Sequence, residues 1–175
     1  MKIITIFGSG TLGSDELGYK YAEALGYALA NSDFDIATGG YGGIMEAVLK
    51  GASEFNTRRI GVTINDFKDK LPNPFVTEII KTKDYLERLK TLVEIGSAYI
   101  VFDGSWGTML EIATVIALTE KQLLHNKTLI CVSNKWQPII DGIDGGNRQS
   151  FKKIIYENRV ENIISILKEH VANNK

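Results

Sequence analysis

Short runs of apolar, mostly β-branched residues alternate along this chain with longer segments in which apolar positions recur every three or four residues. The two periods separate strands from helices. They predict strands over 2–7, 34–37, 59–64, 75–81, 99–102 and 128–132. They predict helices over 14–31, 44–54, 84–95 and 107–121, with a further helix starting in 138–141. Segments 151–156 and 161–171 read as closing helices, 65–74 as a polar surface loop and 142–147 as a turn-rich break. In the first helix Leu17, Tyr21, Leu25 and Ala28 share a face, and Ser14 is the expected N-cap, with Asp15 and Glu16 in the first turn.

This alternation predicts an α/β fold: a Rossmann-like three-layer sandwich with a mainly parallel sheet. Glycine clusters follow three of the strands: Gly8-Ser9-Gly10, Gly39-Gly40-Tyr41-Gly42-Gly43 and Gly104-Ser105-Trp106-Gly107. Loops that leave parallel strands lie at the carboxyl edge of the sheet, where open α/β folds bind ligands. Three such loops converging on one crevice indicate a nucleotide-sized or phosphate-bearing ligand.

The third cluster is the most informative. It continues as Thr108-Met109-Leu110-Glu111 into an apolar helix. The free N–H groups at a helix start form an anion site. Thr108 adds a hydroxyl, and Glu111 stands one turn behind. A tight turn capped by Ser105 or Thr108 would use the same residues, with Glu111 complementing the helix dipole.

Composition narrows the field. A chain of 175 residues suits a single domain, 1–175, with one substantial core. A net charge of −1 gives no footprint for nucleic acid, so none is expected as a partner. No apolar run is long enough to span a membrane, and residues 1–7 read as a first strand, which makes a cytoplasmic protein the expectation. One cysteine and two histidines are too few for a disulfide framework or a typical zinc site. Cys131 reads as an inert buried thiol and His125 as a turn residue. The segment 109–118 is apolar nearly all round, which suggests that a second copy of the chain covers its outer side.

Taken together, the motifs resemble the LOG ("lonely guy") family of nucleotide-binding proteins, once described as possible lysine decarboxylases. The family motif PGGxGTxxE corresponds to Asp103 through Glu111, and GGGxxGLMG to Thr38 through Glu46. The arginine of the family's Arg-Lys pair corresponds to Arg88. The similarity covers roughly residues 2–140. It implies hydrolysis of the N-glycosidic bond of a nucleoside 5′-monophosphate, AMP-like in its base, to free base and ribose 5-phosphate. It implies no metal or cofactor, and a homodimer or an assembly of dimers. Arg88 and Glu111 carry over as catalytic residues. Gly8, Ser9, Gly39, Gly40, Gly42, Gly43, Met45, Gly104, Ser105, Trp106, Gly107 and Thr108 carry over as substrate-binding.

Five positions depart from the family pattern: Thr38, Glu46, Leu89, Asp103 and Ser105. Ser105 narrows the cradle, and Asp103 brings a carboxylate near a phosphate unless it points away or meets a cation. Glu46 looks more like the neighbouring molybdenum-cofactor carriers and the family's longer relatives. The alternative is therefore a non-catalytic protein that binds a nucleotide or a phosphorylated pterin. Arg88 on a helix would otherwise pair with Asp84 at the surface, and Trp106 would pack at an interface. Amino-acid decarboxylation is set aside, because no lysine stands in the matched site to hold pyridoxal phosphate.

Overall fold

The computed structural model describes residues 2–65, 71–143 and 154–172. Seven strands form one sheet: β1 (Ile3–Phe7), β2 (Asp35–Thr38), β3 (Arg59–Ile64), β4 (Glu78–Thr82), β5 (Ala98–Val101), β6 (Leu129–Cys131) and β7 (Ile154–Tyr156). The spatial order is β4-β3-β2-β1-β5-β6-β7, and every pairing is parallel. Six helices accompany them: α1 (Leu17–Ala30), α2 (Ile44–Gly51), α3 (Tyr85–Ile95), α4 (Trp106–Glu120), α5 (Trp136–Ile143) and α6 (Val160–Ala172).

The central strands are buried on both faces, which is why they read as continuous apolar runs and not as alternating ones. On one face α1, α2 and α6 pack Leu25, Leu29, Val48 and Leu167 against Ile4, Ile36 and Ile100. On the other, α3, α4 and α5 pack Leu92, Ile112, Val115 and Trp136 against Phe7, Val62 and Tyr99. Phe7 and Tyr99 stack across the β1–β5 pair at 5.8 Å. Chain direction reverses between those two strands: β1 leads outward through β2, and β5 leads the other way through β6. A crevice at such a switch point is where open sheets hold ligands.

Four expectations need correction. Residues 154–156 are a strand, β7, added at the sheet edge beside β6, while 151–153 lie outside the described residues. A short apolar run is ambiguous between helix and strand until its neighbour is known. Helix α1 begins at Leu17, not Ser14, and Glu16 occupies the N-cap position without a side-chain cap bond. Strand β4 starts at Glu78, three residues later than the pattern suggests. Gly142 lies in α5, and 144–147 of the expected break lie outside the described residues.

Candidate active site

Three glycine loops meet at the carboxyl edge, joined through their backbones. Ser9 N–H donates to Asp103 O at 2.8 Å, and Ile44 N–H donates to Ser9 O at 2.9 Å. Gly43, at φ +67°, lets the second loop pass the first: a β-carbon there would collide with Ser9 O and lie 2.9 Å from Gly10 Cα. Asn73 is buried and pins the second loop from outside, its amide donating to Gly40 O at 3.1 Å and to Tyr41 O at 2.8 Å. The sequence pattern placed Asn73 in a surface loop, because only the fold brings it to Gly40.

Arg88 belongs to the first turn of α3, which a reciprocal capping arrangement sets firmly. Asp84 accepts from Glu87 N–H at 2.8 Å, and Glu87 accepts from Lys83 N–H at 2.7 Å. Asp84 is thus a cap and not an ion-pair partner. Arg88 itself is buried, and its Nε donates to Val62 O at 2.8 Å. The guanidinium lies between two rings, 5.7 Å from the centre of Tyr41 and 6.0 Å from that of Tyr85. It also lies flat against Gly39: a β-carbon there would overlap Arg88 Nη2 and sit 2.7 Å from Met45 Sδ. Gly39 and Met45 therefore hold the arginine in place. Among the described residues, no group hydrogen-bonds its terminal nitrogens.

The third loop delivers the start of α4. Ser105 stands at the N-cap, yet its hydroxyl makes no cap bond. The first-turn N–H groups of Trp106, Gly107 and Thr108 therefore receive no side-chain cap from it. Thr108 is buried, and its hydroxyl folds back onto Gly104, where a β-carbon would overlap it. Two further groups border this cradle that no sequence motif indicated. Lys135 Nζ donates to Gly104 O at 2.8 Å, and Tyr85 Oη lies 3.2 Å from where a Gly107 β-carbon would be. Asp103 lines a hollow of about 500 Å³ on the α1 side, with Leu12, Leu17, Tyr21, Ile44 and Phe102. Trp106 is 87% exposed.

Glu111 is the chemically distinctive group. It is buried one turn into α4, 9% exposed, with no hydrogen bond to its carboxylate from the described residues. Desolvation pushes its pKa up to about 7, against the opposing pull of the Arg88 charge. The two groups sense each other, although no ion pair within 4.0 Å joins them. The result is a carboxyl group poised near neutrality, beside a fixed cation and behind an uncapped helix N-terminus. Such an arrangement can exchange a proton with a water or a leaving group and hold an anion at the same time. Among the described residues, no cluster of His, Cys, Asp and Glu could hold a metal ion, and no helix is long and apolar enough to cross a membrane.

Comparison with known proteins gives the family and agrees with the fold. Residues 1–164 match the model of the SLOG cluster4 family. The chain is 31% identical over 124 residues, 66% of its length, to the pyrimidine/purine nucleotide 5′-monophosphate nucleosidase of Escherichia coli (strain K12). It spans only 27% of that relative's length. It is 24% identical over 155 residues to the cytokinin riboside 5′-monophosphate phosphoribohydrolase of Rhodococcoides fascians, covering 86% of this chain and 78% of the relative. Among solved structures, the molybdenum cofactor binding protein of Rippkaea orientalis superposes with a TM-score of 0.77 over 97% of both chains, at 21% identity. At that identity the likeness speaks for the fold alone.

Proposed function

The chain belongs to the SLOG cluster4 family, and on that footing we propose that it hydrolyses the N-glycosidic bond of a purine nucleoside 5′-monophosphate. The products are the free base and ribose 5-phosphate. The observation that carries the proposal is the pairing of Glu111, buried with its pKa near 7, with Arg88, fixed against Gly39.

In this reading the 5′-phosphate sits on the first-turn N–H groups of α4 and Thr108, bordered by Lys135 and Tyr85. Phosphate binding fixes the sugar relative to Glu111. As the bond between C1′ and the base nitrogen lengthens, its electron pair leaves with the base and positive charge grows on the ribose. Ionised Glu111 stabilises that charge and takes a proton from a water whose oxygen bonds to C1′. The departing base nitrogen takes up a proton from solvent, and Glu111 returns the water's proton to solvent, which restores the ionised carboxylate. Arg88, through its unbonded terminal nitrogens, holds the sugar or base in line. The outer side of α4 is open in the single chain: Leu110 is 41% exposed and neighbouring Leu86 of α3 71%. We assign this surface to a homodimer contact.

The test is direct. The full chain is incubated with a panel of nucleoside 5′-monophosphates, AMP included, and free base is measured by chromatography. Release of base from a purine nucleotide, and its absence with the matching nucleoside, is expected. Binding without release from any member of the panel would leave the second reading, a carrier of a nucleotide or phosphorylated pterin. The substitutions Asp103, Ser105 and Leu89 favour that alternative.

A further inference from the structure

The opposite edge of the sheet, where β1, β5 and β6 begin, carries a second polar concavity. It measures about 240 Å³ and is lined by Lys2, Ser97, His125, Asn126, Lys127 and His170, with Val171 at its margin. Lys2 precedes β1, Ser97 precedes β5, and Lys127 lies two residues before β6. A parallel sheet therefore brings them together from sites 30 to 125 residues apart in the chain. The lining holds two ammonium groups, two imidazoles and no carboxylate. Among the described residues, no carboxylate pairs with Lys2 or Lys127.

These cations have a structural partner, and its size is decisive. Lys127 Nζ donates to Gly96 O at the end of α3. His170 bonds Ser97 O at 3.1 Å and Thr128 Oγ1 at 2.9 Å. A helix end supplies roughly half a negative charge. Two ammonium groups carry two positive ones, so the pocket keeps an excess of positive charge after the backbone is satisfied. Burial and the nearby Lys2 both lower the pKa of Lys127, as expected of like charges held together without a counter-ion.

We propose that this pocket is an anion site for a phosphate-type dianion, held between Lys2 and Lys127. Lysine acts as a compact point charge and lacks the planar fork that matches a carboxylate, so a phosphoryl group suits it. Such a group carries about −1.5 to −2 at pH 7, which balances the lysine pair. The volume is smaller than the ~300 Å³ at which pockets for drug-sized ligands begin, which fits a phosphoryl group with a small attachment and excludes a whole nucleotide. The site is distinct from the glycine-loop crevice and independent of the hydrolase reading.

Heteronuclear NMR titration of the full chain tests it, with inorganic phosphate and ribose 5-phosphate as probes. Saturable shifts at Ser97, Lys127 and His170 are expected with phosphate, and not with chloride at equal ionic strength. Lys2→Met leaves the Lys127–Gly96 bond in place and should weaken binding here by about 10- to 100-fold, the range of a lost charged hydrogen bond. Equal affinity for the two probes would show that the phosphoryl group alone is read. Tighter ribose 5-phosphate would make a sugar phosphate the occupant. Shifts confined to residues 104–108, an unchanged affinity in Lys2→Met, or equal displacement by chloride would overturn the proposal. None of these readouts depends on base release.

Discussion

Replacing Glu111 by glutamine should make the protein more stable at alkaline pH while stopping turnover. The substitution preserves shape and removes charge. Burial raises the carboxyl pKa from 4.5 to about 7 in the folded chain. A raised pKa means that the folded state favours the proton. The wild-type protein therefore loses stability as pH climbs from 4.5 to about 7, and the cost is complete above that. The shift corresponds to about 3 kcal/mol at 1.36 kcal/mol per pKa unit. With an unfolding entropy of about 2.1 cal/mol/K per residue, that is about 8 °C in midpoint for a chain of this length. Urea denaturation of both proteins at pH 4.5, 6 and 8.5 provides the assay. The stability difference should be near its minimum at pH 4.5 and largest, in favour of Glu111→Gln, at pH 8.5. A difference that is flat with pH, or that favours the wild type as pH rises, would show that Arg88 stabilises an ionised carboxylate and would refute the poised-carboxyl argument. Loss of about 10²–10³ in rate should accompany the gain in stability.

Four other outcomes follow from the geometry. If Glu111 acts as the base, kcat/KM should rise with pH through about 7, and a profile flat from pH 5 to 9 would exclude it. Gly39→Ala should displace Arg88 and lower kcat by at least tenfold with the fold retained by circular dichroism, because its β-carbon would take the place of Arg88 Nη2. Light scattering should give a dimer that Trp106→Asp converts to monomer, since Trp106 is 87% exposed beside the open face of α4. Cys131, buried with its pKa pushed up to about 12, should resist thiol reagents at pH 8 until the protein is unfolded.

The main outlines of fold and crevice were legible in the chain because each glycine loop lies between a strand and a helix of opposite period. That order alone puts Gly8, Gly39 and Gly104 on one edge of a parallel sheet. What stayed hidden depends on tertiary neighbours. Three residues, Ile154 to Tyr156, cannot declare themselves a strand until β6 lies beside them. Ser14 has the chemistry of a cap, but α1 starts three residues later at Leu17. Lys135, Tyr85 and Asn73 carry no motif and reach the loops only through the packing of α3, α5 and the segment before β4. The alternative pairing of Arg88 with Asp84 does not form, because Asp84 caps the same helix.

The backbone links among the three loops have a consequence for how this crevice changes under mutation. Much of the frame of this crevice is main chain: Ser9 tied to Asp103, Ile44 tied to Ser9, and the uncapped start of α4. Main-chain donors are indifferent to which side chain their residue bears, provided that the chain can still turn. Substitutions such as Asp103 and Ser105 can therefore accumulate around the cradle without dismantling it. On the proposed reading, anchoring and discrimination are thereby separated: the scaffold would grip the part common to many ligands, while the few side chains that reach inward are free to vary the part that differs.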